Sequence, residues 1–325
     1  MGRCHRLIIV IAGICALGSD HHARTDRVHP MGDRLRPIWD FDDLEGTEGR
    51  FRELLAHDRS DAARAEILTQ LARIEGLRSN FDEGRGLIDR ARAIADDDVL
   101  ARVRIDLELG RLHRSSGNTD DAFPLFGSAF ALAAGSGEAF LAADAAHMAA
   151  LTAPDAPGIL EWTRRGIEVA ERSGDPSDAY WLGPLLNNLG WHHHDAGEYE
   201  EALAALEHAL EVRERDPGRP GEIEIARYAV AKTLRALGRA DEAAALMEKA
   251  IAWTREVGQP DGWFHEELAE DYAALGRDDD AGEEAKVALA VFRGIDAALV
   301  DATQLERLHA LAREDGKGHH RKDGN

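Results

Sequence analysis

The sequence predicts an all-α fold, in which about six helix-turn-helix repeats with capping helices stack into a solenoid. The first observation behind this prediction is that residues 182–217 have the pattern of two amphipathic helices joined by a tight turn. Gly197 closes the first of them, because a glycine after a helical pattern supplies the left-handed residue that ends a helix. The second observation is that other stretches of the chain repeat this unit at similar spacing.

Small residues mark most of the second helices and give the repeat length. Within the best-formed repeat, Leu186, Leu189 and His193 are spaced for one face of the first helix. Gly190 is small enough to let the second helix approach closely, so we expect a close-packing role for it. The equivalent positions of the six second helices are Gly84, Ala122, Ile159, Ala202, Ala243 and Ala281, at intervals of 38, 37, 43, 41 and 38 residues.

Capping helices flank the repeats. A helix over residues 47–57, with Thr47 as its N-cap, is expected to cover the first repeat, as the terminal unit of an array must. A last helix over about residues 299–313 covers the other end. Between them only the third repeat departs strongly from the pattern, because Pro154 and Pro157 forbid a continuous helix through its turn.

The best-formed repeat resembles a known family, the tetratricopeptide repeat. That pattern contains Leu-Gly, an aromatic position, and later Ala, a large residue and Pro; here Leu189-Gly190 supplies the first pair and His193 occupies the aromatic position. The resemblance covers about residues 47–313, although the intervals exceed the 34 residues of the standard repeat. It implies a right-handed superhelix, similar to a group of bacterial repeat proteins without an appended catalytic domain.

We expect four segments along the chain. Residues 1–30 are either a secretory leader, since the apolar run from Leu7 to Leu17 follows two arginines, or an extension ahead of a translation start at Met31. The first alternative predicts export through residues 1–18, and the second predicts a cytoplasmic protein. The remaining segments are an extended N-terminal stretch over 31–46, the repeat domain over 47–315, and a disordered polar tail over 316–325.

The charge and the cysteines exclude several classes of protein. A formal net charge of -22 argues against binding nucleic acid or an anionic membrane through general electrostatics. The run of apolar residues near the N-terminus is too short for a stable membrane span. Cys4 and Cys15 are the only cysteines, so the repeats hold no disulfide or thiolate metal site.

No motif in the chain predicts an enzyme, a cofactor or a metal. His192, His193 and His194 are consecutive, and neighbours on a helix point about 100° apart, so they cannot converge on one ion. His265-Glu266 is not a zinc-protease motif, because the second histidine is absent four residues on. The chain also lacks a glycine-rich phosphate loop and a serine elbow.

The resemblance implies a binding surface on the first helices of the repeats. In this family, ligand contacts come mainly from first-helix residues two and five positions before and after the central Leu. Repeats three and six depart from a basic lining, because they offer Asp144, Glu266 and Glu270. The other repeats supply the candidate partner-binding residues, which are Arg73, Arg104, Arg111, Arg114, Asn187, Trp191, His194, Tyr228, Lys232 and Arg235.

These residues predict a protein- or peptide-binding scaffold whose partner is another protein or peptide, acidic or bound by its C-terminal carboxylate. Because repeats three and six are acidic at these positions, the sequence predicts two separated basic patches, with Trp191 and Tyr228 as apolar anchors. The alternative is that the basic side chains are solvated helix faces with pairs such as Glu108 and Arg111. A peptide-sensing regulator and an exported envelope assembly factor stay open as functions, and the oligomeric state is not predicted.

Overall fold

The computed structural model describes residues 33–173, 178–294, 300 and 302–314. These residues form fourteen α-helices, two short 3-10 turns and no strand, which confirms the predicted all-α repeat fold. The helices are α1 Leu44–His57, α2 Asp61–Leu77, α3 Phe81–Ile94, α4 Val99–Ser115, α5 Thr119–Ser136, α6 Ala139–Thr152, α7 Ala156–Ser173, α8 Leu182–Ala196, α9 Tyr199–Glu214, α10 Pro220–Ala236, α11 Ala240–Val257, α12 Gly262–Ala274, α13 Asp278–Phe292 and α14 Ala302–Glu314.

The chain divides into two compact units between Leu189 and Gly190, inside α8. We call the described residues up to 189 the first unit and those from 190 onward the second unit. Inside each unit, helices that follow one another in sequence pack together, and so do the first helices of neighbouring repeats: α2 with α4, α4 with α6, α10 with α12, and α12 with α14. The first helices therefore share one face of each unit, which we call its first-helix face.

The turns between paired helices follow the glycine pattern of the sequence. Gly117, Gly197, Gly238 and Gly276 follow first helices with φ between 71° and 89°, in the left-handed region that a glycine adopts without a steric penalty. The first repeat uses Ser79 at φ 64° in the same place. Pro157 lies in the first turn of α7, where a proline costs no helical hydrogen bond. The irregular third repeat thus keeps its helix pair.

The N-terminal capping helix differs from the prediction in its start. It begins at Leu44, and the carboxylate of Asp43 accepts a hydrogen bond from the backbone N–H of Gly46 at 2.8 Å. The prediction of Thr47 as N-cap is wrong, because its hydroxyl is buried and bonds the backbone N–H and C=O of Asp40. The described part of the last helix begins at Ala302. The predicted leader, residues 1–30, and the tail, residues 316–325, lie outside the described residues.

The Leu-Gly positions confirm the close packing of paired helices. A Cβ built on Gly190 would lie 2.4 Å from Cγ of Leu206 in α9, and one on Gly110 would lie 2.6 Å from Cε1 of Phe126 in α5. Both distances are far below van der Waals contact, and both partner side chains are buried. Glycine is therefore required there by space and not by backbone conformation.

We predict that Gly190→Ala lowers the free energy of unfolding by about 1–3 kcal/mol, because the added methyl group overpacks against Leu206. Gly86→Ala is the matched control, since Gly86 is an exposed helical glycine with nothing within 4 Å of the position that a Cβ would occupy. The control should be stabilised by up to about 1 kcal/mol through helix propensity alone. Urea unfolding followed by circular dichroism measures both, and equal effects at the two sites would contradict the packing.

Candidate functional site

The first-helix face of the first unit is built from two matching stripes of polar residues. On α2 the stripe is Glu66, Gln70 and Arg73, and on α4 it is Arg104, Glu108 and Arg111. Each set is spaced i, i+4 and i+7, which places its members on one side of a helix. Equivalent members are 38 residues apart, the length of this repeat. Opposite charges meet at the first of these positions, Glu66 and Arg104, whereas the last pair, Arg73 and Arg111, carries the same charge.

Arg104 lies inside this face and is only 4% exposed. Its Nε donates to Oε2 of Glu66 at 2.9 Å, and its Nη1 donates to Oδ2 of Asp33 at 3.2 Å. Burial tends to raise the pKa of Asp33, but Arg104 reverses that effect and lowers it. Arg104 was predicted as a partner-binding residue, and in the structure two internal carboxylates, Glu66 and Asp33, enclose its guanidinium.

Arg111 and Arg73 share the next carboxylates. Nη1 of Arg111 donates to Oε1 of Glu108 at 2.5 Å, which is the intrahelical pair that the sequence offered as an alternative, and Nη2 donates to Asp144 of α6. Nη1 of Arg73 lies 3.8 Å from the same Glu108 oxygen. Burial and the neighbouring Arg111 lower the pKa of Arg73 to about 10. Arg73 is therefore the less well neutralised of the two.

Arg114 leaves a surplus of positive charge on this face. It is half-buried at the C-terminal end of α4, and it makes no ion pair with any residue of the described chain. Burial and Arg111 both lower the pKa of Arg114. Arg73 and Arg111 share two carboxylates, Glu108 and Asp144, and Arg114 adds a third positive charge close to Arg111. The cluster thus carries one uncompensated positive charge in a chain of net charge -22.

His147 and Asn188 lie beside this charge, and the sequence did not single them out as binding residues. Burial lowers the pKa of His147 to about 4, and the positive charges of Arg111 and Arg114 also lower it, so its imidazole is neutral near pH 7. Nδ2 of Asn188 lies 3.2 Å from Nδ1 of His147. The available signal was that Ala146-His147 stands where Leu109-Gly110 stands in the preceding repeat. Asn187, the predicted residue, is itself buried.

Two of the predicted aromatic anchors belong to the core of the second unit. Trp191 is 2% exposed and Tyr228 is 5% exposed, and both pack in one apolar cluster with residues such as Leu234 and Phe264. The prediction that they offer apolar area to a partner is wrong, because large apolar side chains at these positions fill the space between helices. His194 lies next to them, half-buried, with its ring edge-on to Trp191 at 5.2 Å.

The predicted basic patch of the second unit is neutralised by buried carboxylates. Nζ of Lys232 lies 3.1 Å from Oε2 of Glu267, and Nε of Arg235 lies 2.6 Å from Oε1 of the same residue. Glu267 is fully buried, and although burial alone would raise its pKa, Lys232 and Arg235 lower it to about 2. A second free basic patch is therefore not present in this part of the described chain.

Asp271 adds a further acid to this cluster. It is fully buried, Nε of Arg235 lies 3.5 Å from its Oδ1, and neither of its carboxyl oxygens has a hydrogen bond. Burial and the neighbouring Glu267 raise its pKa well above the usual range. Glu266 and Glu270 instead contact α14, since Glu266 accepts from Gln304 at 3.0 Å and Glu270 pairs with Arg307 at 2.9 Å. The raised pKa favours the neutral form of Asp271 near pH 7.

Neither a metal cluster nor a membrane span is found in the described part of the chain. No three histidine, cysteine, aspartate or glutamate side chains there are grouped to hold a metal ion. His193 instead contacts a carboxylate, with its Nδ1 2.5 Å from Oε2 of Glu198. No described helix is both long enough and apolar enough to cross a bilayer.

Helix pairs whose first helices lie side by side across successive repeats define a helical repeat protein of the binding-scaffold type. Family models described as tetratricopeptide repeat match residues 185–215 and 226–256. These two segments of the chain are therefore tetratricopeptide repeats, as the sequence pattern predicted. The intervals of the chain are longer than the standard repeat, and the matched segments are the fourth and fifth repeats.

Solved structures show the same fold. A signal-transduction ATPase with numerous domains and a tetratricopeptide-repeat sensor, from Pyrococcus horikoshii, is 18% identical with a TM-score of 0.66; the match covers 86% of this chain and 44% of that one. BtubC from P. vanneervenii is 19% identical with a TM-score of 0.56, over 70% of this chain and 93% of that one. At these identities the likeness concerns the fold alone. A search of curated proteins found no match.

We predict that Glu267→Gln lowers the free energy of unfolding by about 2–3 kcal/mol, because it leaves Lys232 and Arg235 without their carboxylate. The loss is smaller than the ~3–5 kcal/mol of a fully enclosed pair, since both cations are about a quarter exposed. Urea melts at pH 7 measure it. An unchanged unfolding midpoint would show that the two cations are adequately solvated without Glu267.

Asp271→Asn should have the opposite effect and serves as its neighbouring control. The pKa of Asp271 is higher in the folded state than its ordinary value of 3.8. The contribution of Asp271 to the free energy of unfolding is therefore full below pH 3.8 and is lost as the pH rises toward the pKa of the folded state, because only the unfolded chain ionises in that range. An amide avoids this loss, and we expect the variant to be more stable than the wild type by on the order of 1–2 kcal/mol at pH 8. The difference should shrink toward pH 4. A constant difference across that range would contradict a neutral Asp271.

Proposed function

We propose that the chain is a peptide-binding scaffold that takes a carboxylate of an acidic or C-terminal peptide on the first-helix face of its first unit. The observation that carries this proposal is the half-buried Arg114, which has no ion pair in the described chain and belongs to a cluster with more guanidinium groups than carboxylates. A partly desolvated cation without a partner is costly, and a bound carboxylate would reduce that cost.

The residues around Arg114 suit a carboxylate more than a bulky apolar group. A guanidinium binds a carboxylate with two parallel hydrogen bonds, and such bonds are strongest when shielded from water. Neutral His147 and the amide of Asn188 can each donate or accept a hydrogen bond beside it, depending on the tautomer of His147. Arg73 and Arg111 extend the positive charge along the same face.

The predicted residues of the second unit are weaker candidates. Lys232 and Arg235 are partly exposed, but a ligand carboxylate would have to compete there with the buried Glu267. His194 is half-buried, and burial and Lys232 lower its pKa, so it adds no positive charge near pH 7. We therefore place the primary site in the first unit and keep Lys232, Arg235 and His194 as a proposed secondary contact.

The test is a screen of random peptides with free and amidated C-termini against the wild-type chain, followed by titration of the peptides retained. We expect Arg114→Glu to weaken them at least tenfold, about 1.4 kcal/mol, because it replaces the surplus cation by an anion. Arg114→Lys should weaken them less, since it keeps the charge and loses only the two-pronged geometry.

Arg164→Glu is the matched control, because Arg164 is an exposed residue of α7, a second helix, and forms no ion pair in the described chain. It introduces the same change of charge away from the first-helix face and should leave the affinity within about twofold, on the order of 0.4 kcal/mol. Equal losses for Arg114→Glu and Arg164→Glu would show that only the overall charge matters, and a greater loss for Arg164→Glu would move the site to the second helices.

A further inference from the structure

A short stretch of the chain lies along the first-helix face of the first unit as a bound peptide would. Residues 33–41 precede α1 and contain only one 3-10 turn, Arg36–Ile38. All three members of the α2 stripe contact this stretch: Glu66 pairs with Arg34 at 2.8 Å, Gln70 accepts from Trp39, and Arg73 lies over the rings of Trp39 and Phe41. We call residues 33–41 the N-terminal segment.

Three side chains anchor the N-terminal segment, each by a different interaction. Asp33 at its start binds Arg104 of α4 through both carboxylate oxygens. Leu35 is 1% exposed and packs in the core of the first unit. Trp39 donates from Nε1 to Oε1 of Gln70 at 2.9 Å, and the guanidinium of Arg73 lies 5.2 Å from its ring centroid. The anchors are thus an acid, Asp33, an apolar residue two positions later, Leu35, and an aromatic residue six positions after the acid, Trp39.

The backbone of the segment makes no backbone–backbone hydrogen bond with the described helices. The backbone hydrogen bonds of residues 33–39 run within the segment itself, from Arg36 to Asp33, from Ile38 to Leu35 and from Trp39 to Arg36. The described helices bond its backbone through two side chains of α1: Nε of Arg50 donates to the carbonyl of Ile38 at 3.1 Å, and the hydroxyl of Thr47 bonds the N–H and C=O of Asp40. Elements tied mainly by side chains open locally at a lower free energy than core helices do.

We infer that the N-terminal segment is a peptide ligand bound in cis, and that the α2–α4 part of the face is an exchangeable site for an extended partner peptide with the same three anchors. This inference rests on the proposed function, because it adds to the carboxylate site at Arg114 a second subsite selective for acid, leucine and tryptophan. While the segment is bound, Arg104 and Arg73 are engaged internally. A partner that displaces it gains the contacts that the segment loses.

Competition from the tethered segment sets the affinity that a partner must reach. A short tether gives the segment an effective concentration on the order of millimolar, so a free peptide of the same sequence binds the intact chain weakly. The same peptide should bind much more tightly once the anchors of the segment are removed. This contrast distinguishes an exchangeable ligand from a fixed part of the fold.

The experiment uses the full chain and a fluorescein-labelled peptide with the sequence of residues 31–41. We expect weak binding to the wild type and at least tenfold tighter binding to the variant Leu35→Ala/Trp39→Ala, whose own segment has lost two anchors. A peptide with Trp39→Ala should not bind the variant. Equal binding to both chains, or no binding to a variant whose circular dichroism is unchanged, would overturn the inference.

Hydrogen exchange on the wild-type chain covers the case in which the variant does not fold. The amides of Arg36, Ile38 and Trp39 should exchange at least a hundredfold faster than those of Leu71 and Ala72 in the buried part of α2. Protection of the segment equal to that of α2 would overturn the inference, since it would then open only with the whole unit. Excess peptide should not slow exchange in the second unit.

Failure of this inference can be told apart from failure of the proposed function. Arg114 makes no hydrogen bond or ion pair with the described residues of the N-terminal segment, so Arg114→Glu should leave binding of the 31–41 peptide to the double variant within about twofold, on the order of 0.4 kcal/mol. If Arg114→Glu abolishes binding of the screened peptides but not of the 31–41 peptide, both the carboxylate site and the exchangeable segment are supported. If the 31–41 peptide still binds and Arg114→Glu has no effect on the screened peptides, the carboxylate site is refuted and the exchangeable segment is not.

Discussion

Buried ion pairs between the first helices of successive repeats are the constraint on which the binding face depends. Glu66 meets Arg104, Asp144 meets Arg111, and Glu267 meets Lys232 and Arg235, in each case joining one first helix to the next. Such pairs add little net stability over apolar residues, but leaving one member unmatched is costly. They therefore act mainly on register, because a shifted helix would leave a charge buried without its partner.

The sequence predicted the helix pairs well because their signals are local. Periodic apolar residues, the Leu-Gly pairs and the terminal glycines each depend on residues within one repeat, and the structure confirms the packing of Gly190 against Leu206. The binding residues were predicted less well, because their state depends on the neighbouring repeat. Arg104 was read as an accessible cation, and only the folded chain brings Glu66, 38 residues earlier, and Asp33 against it. Trp191 shows the same limit, since burial is decided by packing.

The two units differ in how they balance charge, although the same repeat builds both. In the first unit the cluster of Arg73, Arg111 and Arg114 exceeds its carboxylates by one charge. In the second unit two acids, Glu267 and Asp271, lie against two cations, Lys232 and Arg235, so the charges balance by count. The raised pKa of Asp271 favours its neutral form, and the two cations then share the single carboxylate of Glu267. Pairing by residue count alone would thus misjudge the charge balance of the second unit.

A face whose charges are almost matched can still select a ligand if the ligand replaces an internal partner. Asp33 shows what this exchange requires, since it binds Arg104 from a segment that is held chiefly by side chains. A carboxylate from a partner gains only the difference between its contacts and those it displaces, so charge sets where it binds and contributes little to affinity. Discrimination between partner peptides then has to come from the anchor side chains that bury the most surface on binding. On this face those anchors are Leu35, which packs in the core of the first unit, and Trp39, whose ring lies beneath the guanidinium of Arg73.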